Sequence, residues 1–190
     1  MHYRLYVTFD KEHAKTPREA LTYVHNELSS DNSFVGDGGR FSSPICDWFV
    51  VGGRWSGDLA IKLVGEKKYW DTIEKAVPKK NNFGWSTQDI KDNSDKLQKA
   101  WKKLGGKDIC PMARDSYRHE GYHDDDAMIL TKELYKAILK QYEGKYEGKV
   151  HKEYEDTHWD ELYYVDLDDN MKVGKDMVGK KWIVVVDYHS

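Results

Sequence analysis

The sequence predicts an α+β domain with a mostly antiparallel sheet and helices packed on one face of that sheet. Three observations lead to this prediction. Apolar and polar residues alternate near the start of the chain, capping residues precede two amphipathic stretches, and an apolar run lies near the end. Because strands and helices follow one another as in split β-α-β units, a ferredoxin-like or related arrangement is the first choice of topology.

The chain opens with a strand followed by a helix. Side chains from Tyr3 to Phe9 alternate between apolar and polar, which is the period of a strand with one buried face. Thr16, Pro17 and Glu19 then form the start signal of a helix, with a capping hydroxyl, a proline in the first turn and an acid three residues after the cap. The apolar stripe expected on this helix is Ala20, Leu21, Val24 and Leu28.

A polar loop and a bent apolar segment come next. Residues 29–43 are rich in Gly, Ser, Asp and Asn and predict a loop. The run from Trp48 to Val51 predicts a buried strand, which two glycines interrupt. We expect a second strand from Asp58 to Leu63, so that the glycines form a sharp bend or hairpin.

The middle of the chain, residues 64–107, is rich in lysine and predicts two helices. One lies near Tyr69 to Ala76 before Pro78, and the other near Thr87 to Leu104 before a glycine pair. Few apolar residues occur in this segment. We therefore interpret it as a helical insertion on the outside of a single domain that spans residues 1–190.

The last part of the chain predicts a second strand-helix unit and two closing strands. The strand at Asp126 to Leu130 is followed by Thr131 as the cap of a helix. Further strands are expected at Tyr163 to Leu167 and at Trp182 to Tyr188. The final strand is apolar on both faces, which predicts a place in the interior of the sheet.

Composition limits the classes of partner. The chain has 30 basic and 33 acidic residues, so no global positive field favours duplex nucleic acid. It lacks an apolar run long enough for a membrane span and a recognisable leader, and we expect a soluble, cytoplasmic protein. Cys46 and Cys110 are far apart and predict no disulfide framework. The sequence does not predict an oligomeric state.

The segment from Asp47 to Gly57 is the first candidate site. Its residues Asp47, Trp48, Gly52, Gly53, Arg54 and Trp55 combine close backbone approach, a planar cation and aromatic rings. Arginine matches phosphate or carboxylate, and an indole stacks on a nucleobase, so the segment would suit a nucleotide. The alternative is a simple hairpin in which the tryptophans fill the core and the arginine pairs with a neighbouring aspartate.

Two further clusters could carry chemistry. Asp187 and His189 lie two residues apart on a strand and project from one face, where they could act as an acid-base pair, although a frayed chain end is the simpler interpretation. His119, His123 and Asp126 could hold a divalent metal, the one cofactor that the sequence indicates. Their spacing is not that of a helical zinc motif, which favours a solvated acidic loop.

The string Asp-Trp-Phe-x-x-Gly-Gly-Arg-Trp-Ser-Gly and the ending Val-Val-Asp-Tyr-His resemble motifs of uncharacterised bacterial and phage proteins. The resemblance covers about eleven residues of the first motif and implies no activity. It favours a shared site for Arg54 and His189.

Three functions remain open from the sequence. The first is a binding protein for a small anionic ligand, a nucleotide or nucleotide-derived signal, with a role in phage infection or host defence. The second is a phosphoester or nucleotide hydrolase that uses Asp187 and His189 with Arg54 as the charge-stabilising group. The third is a protein-interaction module that uses aromatic residues of the lysine-rich segment.

Overall fold

The computed structural model describes six stretches of the chain and one single residue. These are residues 2–30, 46, 48–79, 84–114, 122–145, 164–168 and 175–189, with side chains described except at 139–145 and 164–165. The loop predicted for residues 29–43 lies outside them apart from its first two residues, which complete a helix.

The described residues form a five-stranded, mostly antiparallel sheet. The strands are β1 (His2–Asp10), β2 (Trp48–Val51), β3 (Ala127–Ile129), β4 (Tyr164–Asp166) and β5 (Lys181–His189). β5 lies between β1 on one side and both β2 and β3 on the other, and all three pairings are antiparallel. β4 joins β1 in parallel at the edge. The predicted α+β class and the interior position of the last strand are confirmed.

Six helices accompany the sheet in the described part of the chain. They are α1 (Pro17–Ser30), α2 (Asp58–Val64), α3 (Glu66–Ala76), α4 (Thr87–Asp92), α5 (Ser94–Lys103) and α6 (Lys132–Lys145). The predicted caps hold two of them. The Glu19 backbone N–H donates to Thr16 Oγ1 at 3.2 Å, and the Leu134 N–H donates to Thr131 Oγ1 at 3.1 Å. No helix among the described residues is long and apolar enough to cross a membrane.

Helices pack on both faces of the sheet, so the prediction that they all lie on one face is wrong. The reason lies in β5, which is buried along almost its whole length. Its residues Val184 and Val186 share a core with α1, whereas Ile183 and Val185 face Leu59 of α2 and the apolar stripe of α6. Because strand side chains alternate, a strand with the unbroken apolar run Trp182 to Val186 needs cover on both sides.

The topology also differs from the ferredoxin-like arrangement that was the first choice. A ferredoxin-like sheet has two parallel strands at its centre. Here the central pair is β5 and β1, and these strands run antiparallel. The order of elements along the chain does not by itself determine which strands become neighbours.

The strand predicted from Asp58 to Leu63 is instead helix α2. Gly57, at φ 84°, turns the chain into this helix. Leu59 faces the sheet, while Ile61 and Val64 pack against the core of the lysine-rich segment. A helix that is covered on two sides has an almost continuous apolar run, which is why its sequence resembled a buried strand.

The lysine-rich segment has its own apolar core, built mainly by α3 and α5. Its buried members are Tyr69, Ile73, Val77, Leu97, Ala100, Trp101 and Cys110. The single helix predicted from Thr87 to Leu104 is two helices that meet at Asn93, whose side-chain amide donates to the Asp89 carbonyl at 2.8 Å. The interpretation of this segment as an insertion stays a prediction.

Candidate functional site

The motif that follows β2 forms a tight turn, which we call the glycine loop (residues 52–57). Gly52 has φ 79°, and its N–H donates to the carbonyl of Val185 on β5 at 2.8 Å. Gly53–Trp55 then form one turn of 3-10 helix. The loop is therefore anchored on the central strand of the sheet.

One end of the loop is held by the carboxylate of Asp187. Asp187 Oδ2 accepts the backbone N–H of Arg54 at 3.0 Å, and the Asp187 side chain is only 1% exposed. A Cβ atom on Gly53 would lie 2.5 Å from Asp187 Cβ, closer than real Cβ atoms come. Glycine is needed at this position because the aspartate side chain occupies the adjacent space.

The other end of the loop is held by Asp126. Its two carboxylate oxygens accept the Ser56 hydroxyl at 2.6 Å and the Gly57 backbone N–H at 2.5 Å. A Cβ on Gly52 would lie 2.5 Å from Asp126 Oδ2. At both Gly52 and Gly53, the close approach is thus made by a carboxylate of the protein itself.

Burial raises the pKa of Asp126 to about 7, even though Arg114 is close by. The Arg114 guanidinium donates at 2.7 Å to Asp125 and at 2.7 Å to the Ile109 carbonyl, and lies 3.6 Å from Asp126. The charge of Arg114 interacts mainly with Asp125. It therefore offsets only part of the rise that burial causes in the pKa of Asp126. The carboxyl group that binds the Ser56 end of the glycine loop therefore titrates near neutral pH.

Asp187 is bonded to a histidine, but that histidine is His2. His2 Nδ1 lies 2.9 Å from Asp187 Oδ1, and the imidazole is 21% exposed. An ionised carboxylate only accepts hydrogen bonds, so Nδ1 must carry the proton. In the neutral imidazole, Nε2 then keeps its lone pair.

His189 instead takes part in an aromatic cluster. Register places His189 of β5 opposite both His2 of β1 and Trp48 of β2. The rings of Trp48 and His189 are parallel, with an interplanar angle of 3° and centroids 5.5 Å apart. The His2 ring meets both of them edge-on, at 5.1 Å from Trp48 and 5.3 Å from His189. We call the group of His2, Trp48, Arg54, Asp187 and His189 the histidine end.

A charged network continues from the histidine end toward α2. The carboxylate of Asp58 accepts Arg4 Nη1 at 2.7 Å and the Tyr6 hydroxyl at 2.5 Å, and lies 3.6 Å from Lys62 Nζ. Burial lowers the pKa of Lys62, and the charge of Asp58 opposes that shift. The Arg4 guanidinium also lies over the Trp55 ring, 5.0 Å from its centroid. The Trp55 ring therefore packs against a side chain of the protein itself.

The third predicted cluster, His119, His123 and Asp126, is only partly described. His119 lies outside the described residues, as does Asp47 of the first candidate segment. His123 Nδ1 contacts Asp108 Oδ1 at 3.3 Å, whereas Asp126 binds the glycine loop. In the part of the chain that the structure describes, no group of three histidine, cysteine or acidic residues is placed to hold a metal ion. The metal site stays a prediction.

Sequence reasoning missed His2, Arg4 and Asp58. His2 and Arg4 occupy the even positions of β1, opposite to the apolar positions that define its core face. That alternation was the available signal, because residues 2, 4 and 6 share one face of a strand. Asp58 could not be found because its segment was interpreted as a strand.

Comparison with known proteins gives no relative for this chain: no protein-family model, curated protein or solved structure matches it. The resemblance of its motif to bacterial and phage proteins stays a prediction.

Proposed function

We propose that the protein binds a small anionic ligand of the nucleotide class at the histidine end. The observation that carries the proposal is the exposed indole of Trp48, which is 38% accessible and stacks on His189 beside the turn that carries Arg54. An aromatic surface next to a guanidinium provides the two contacts that a nucleotide needs. The base would stack on the ring, and Arg54 would bind the phosphate.

Charge also favours an anion at this end. Arg4, Arg54 and Lys62 lie at or next to the cluster, and two carboxylates, Asp58 and Asp187, oppose them. The two histidines add positive charge when protonated. Among the described side chains of this region, cations therefore outnumber carboxylates, in a chain whose formal net charge is −3. Local fields of this kind raise the concentration of anionic ligands at a surface.

Trp48 is better suited to stacking than Trp55. Trp55 packs against the core formed with α2 and α6, and Arg4 covers its ring. Trp48 keeps its exposed surface on the side of the sheet where the imidazoles lie. Trp48 is therefore the residue to which we assign the base contact.

The biological setting is part of the same proposal. Nucleotides and nucleotide-derived signals occur in the cytoplasm, where we place the protein. The resemblance of its motif to phage-borne proteins suggests a role in which a signalling nucleotide is sequestered during infection.

Calorimetry with AMP, ATP, a cyclic dinucleotide and inorganic phosphate tests the proposal. Trp48→Ala should weaken nucleotide binding by about fivefold or more, the range of one base-aromatic stack, and should leave phosphate binding nearly unchanged. Arg54→Ala should weaken both. Trp70→Ala is the matched control, because Trp70 is 39% exposed and lies on α3. Unchanged nucleotide affinity in Arg54→Ala, or no measurable heat with any of these ligands, would overturn the assignment.

One observation favours a protein-interaction surface as a second candidate. Trp70 stacks on Trp85 with centroids 6.3 Å apart, and Lys79 Nζ lies 4.9 Å from the Trp85 ring centroid. Exposed aromatic residues flanked by cations are common anchors of protein partners. Trp70→Ser should abolish capture of a protein partner that Trp48→Ser retains, and the reverse pattern would exclude this surface.

A further inference from the structure

We propose that His2 is a general base that activates water for hydrolysis of a phosphoester bond in the bound ligand, and that Asp187 positions it. This inference rests on the proposed binding of an anionic ligand at the histidine end. It assigns an activity to that site and moves the base from His189, the residue that the sequence favoured, to His2.

The geometry of the pair has the features of a base and its orienting carboxylate. Asp187 is 1% exposed and fixes the proton of His2 on Nδ1, at 2.9 Å, while the imidazole itself is 21% exposed. A buried carboxylate that holds one ring nitrogen leaves the other nitrogen with a lone pair of defined direction. His189 has a different task in this arrangement, since its ring lies parallel to Trp48 and extends the aromatic surface.

The glycine loop couples the base to the phosphate-binding group. The same carboxylate that orients His2 accepts the Arg54 backbone N–H at 3.0 Å. The Arg54 backbone and the His2 ring therefore have a common anchor, and one side chain fixes where the residue that carries the phosphate-binding group lies relative to the base. Such fixed positioning is what a hydrolytic site requires of groups from distant parts of the chain.

The reaction consumes one water molecule. His2 Nε2 takes a proton from water as the water oxygen forms a bond to phosphorus. The bond between phosphorus and the leaving oxygen breaks, and the imidazolium returns its proton to that oxygen. Arg54 offsets the negative charge on the phosphoryl oxygens during the displacement. The products are the released alcohol or nucleoside and a phosphate that carries one ester bond fewer.

The experiment measures turnover of bis(p-nitrophenyl) phosphate and of the nucleotide panel by the full chain. His2→Gln should lower kcat by about 100-fold or more, the usual contribution of a general base, with a much smaller change in KM. Asp187→Asn should lower kcat as well, because an amide can no longer enforce the same tautomer. The matched control is His13→Gln, since His13 also lies beside an aspartate, Asp168, at 3.5 Å, but at the opposite end of the sheet.

Two further readouts separate a base from a merely structural histidine. The acid limb of the pH-rate profile should disappear in His2→Gln, and added imidazole should restore part of the activity of His2→Ala. Absence of turnover by a wild-type protein that binds nucleotides would overturn this inference and leave the proposed binding intact. Absence of both binding and turnover would overturn both. If the His2 variants fail to fold, folded Asp187→Asn still decides the question, because a kcat equal to that of the wild type would overturn the inference.

Discussion

The two ends of the central strand pair, β1 and β5, differ in how their charged side chains are partnered. At the end that we call the lysine end, Lys181 Nζ lies 3.0 Å from Asp10, 3.2 Å from Asp166 and 2.9 Å from Asp168. The histidine end lies on the same face of the sheet, since register joins Asp10 with Lys181 and His2 with His189. Its ring cluster remains partly exposed.

At the lysine end, charges are neutralised within the protein. Asp166, whose side chain is fully buried, also accepts the Thr8 hydroxyl at 2.6 Å, and Asp168 accepts the Asp10 N–H at 2.7 Å. Burial of charge is tolerated there because the groups satisfy one another. At the histidine end, the buried carboxylate of Asp187 contacts the His2 imidazole and the Arg54 backbone N–H, and both of these residues are at least partly exposed. We therefore expect the lysine end to stabilise the strand pair, and we propose the histidine end as the one that binds a ligand.

The largest effect on stability is expected from Lys181→Met. Removing the ammonium leaves the buried carboxylate of Asp166 without its cation, which should lower the free energy of unfolding by about 3 kcal/mol. Urea unfolding measures this, and Lys180→Met is the control because Lys180 is exposed. Equal unfolding midpoints for the two variants would contradict the assignment of a stabilising role to the lysine end.

Acid should lower the free energy of unfolding that the lysine end contributes. Hydrogen bonds from Lys181 and the Asp10 N–H hold the pKa of Asp168 below its usual value, although burial opposes them. The folded state therefore binds that proton less readily than the unfolded state does. The stabilisation is present above the ordinary aspartate range and is lost as the pH falls through the lowered pKa. Lys181→Met should reduce this acid sensitivity.

A clash at the glycine loop should produce the next largest effect. Gly52→Ala should cost about 2 kcal/mol or more, because the backbone has positive φ and the new Cβ meets Asp126. Gly179→Ala is the control, because its φ is 78° and an added Cβ would have no atom within 4 Å. A double-mutant cycle of Gly52→Ala with Asp126→Ala should be less than additive. Strict additivity would show that backbone strain alone determines the cost.

The pH dependence contributed by Asp126 should have the opposite sign to that at the lysine end. Its pKa of about 7 in the folded protein exceeds the usual 3.8, so the folded state binds the proton more tightly. The free energy of unfolding should therefore fall as the pH rises through this window, by up to about 1.4 kcal/mol per pH unit. Asp126→Asn should flatten the curve, and an unchanged slope in that variant would be inconsistent with a buried, titrating carboxyl group.

The smallest effect on stability is expected from Arg54→Ala. The Arg54 side chain is exposed, and contacts of exposed charged groups contribute little to stability. The hydrogen bond to Asp187 is donated by the Arg54 backbone N–H, which alanine keeps. The free energy of unfolding should change by about 0.5 kcal/mol or less. Thermal unfolding checks this, and a large loss would mean that the guanidinium itself supports the fold.

Local patterns predicted much of this fold. The strand at β1, the cap at Thr16 and the apolar run of β5 each depend on residues close together in sequence, and the structure confirms these three elements. The single buried face predicted for β1 is wrong, because Tyr6 and Thr8 on its other face are buried too. Helix α2 was missed because two separate cores cover it, which gives its residues the continuous apolar run of a strand.

The candidate site was harder to predict because it depends on register between distant segments. His2 and Asp187 are 185 residues apart, and their contact follows from the antiparallel pairing of β1 with β5. No local spacing contains that information. The sequence did indicate Asp187, Trp48 and Arg54 as candidates, because a carboxylate, an indole and a guanidinium at strand ends are unusual in a core.

NMR titration of the tryptophan indole N–H signals tests most directly whether the histidine end binds nucleotides. Isotope-labelled protein would be titrated with AMP and ATP, with Trp48→Phe and Trp70→Phe used to assign the indole signals of Trp48 and Trp70, the exposed tryptophans among the described residues. We expect the Trp48 signal to shift in a saturable way, the Trp70 signal to stay in place, and the Trp48 shift to weaken in Arg54→Ala. A Trp48 signal that does not move at millimolar nucleotide would contradict the proposed binding.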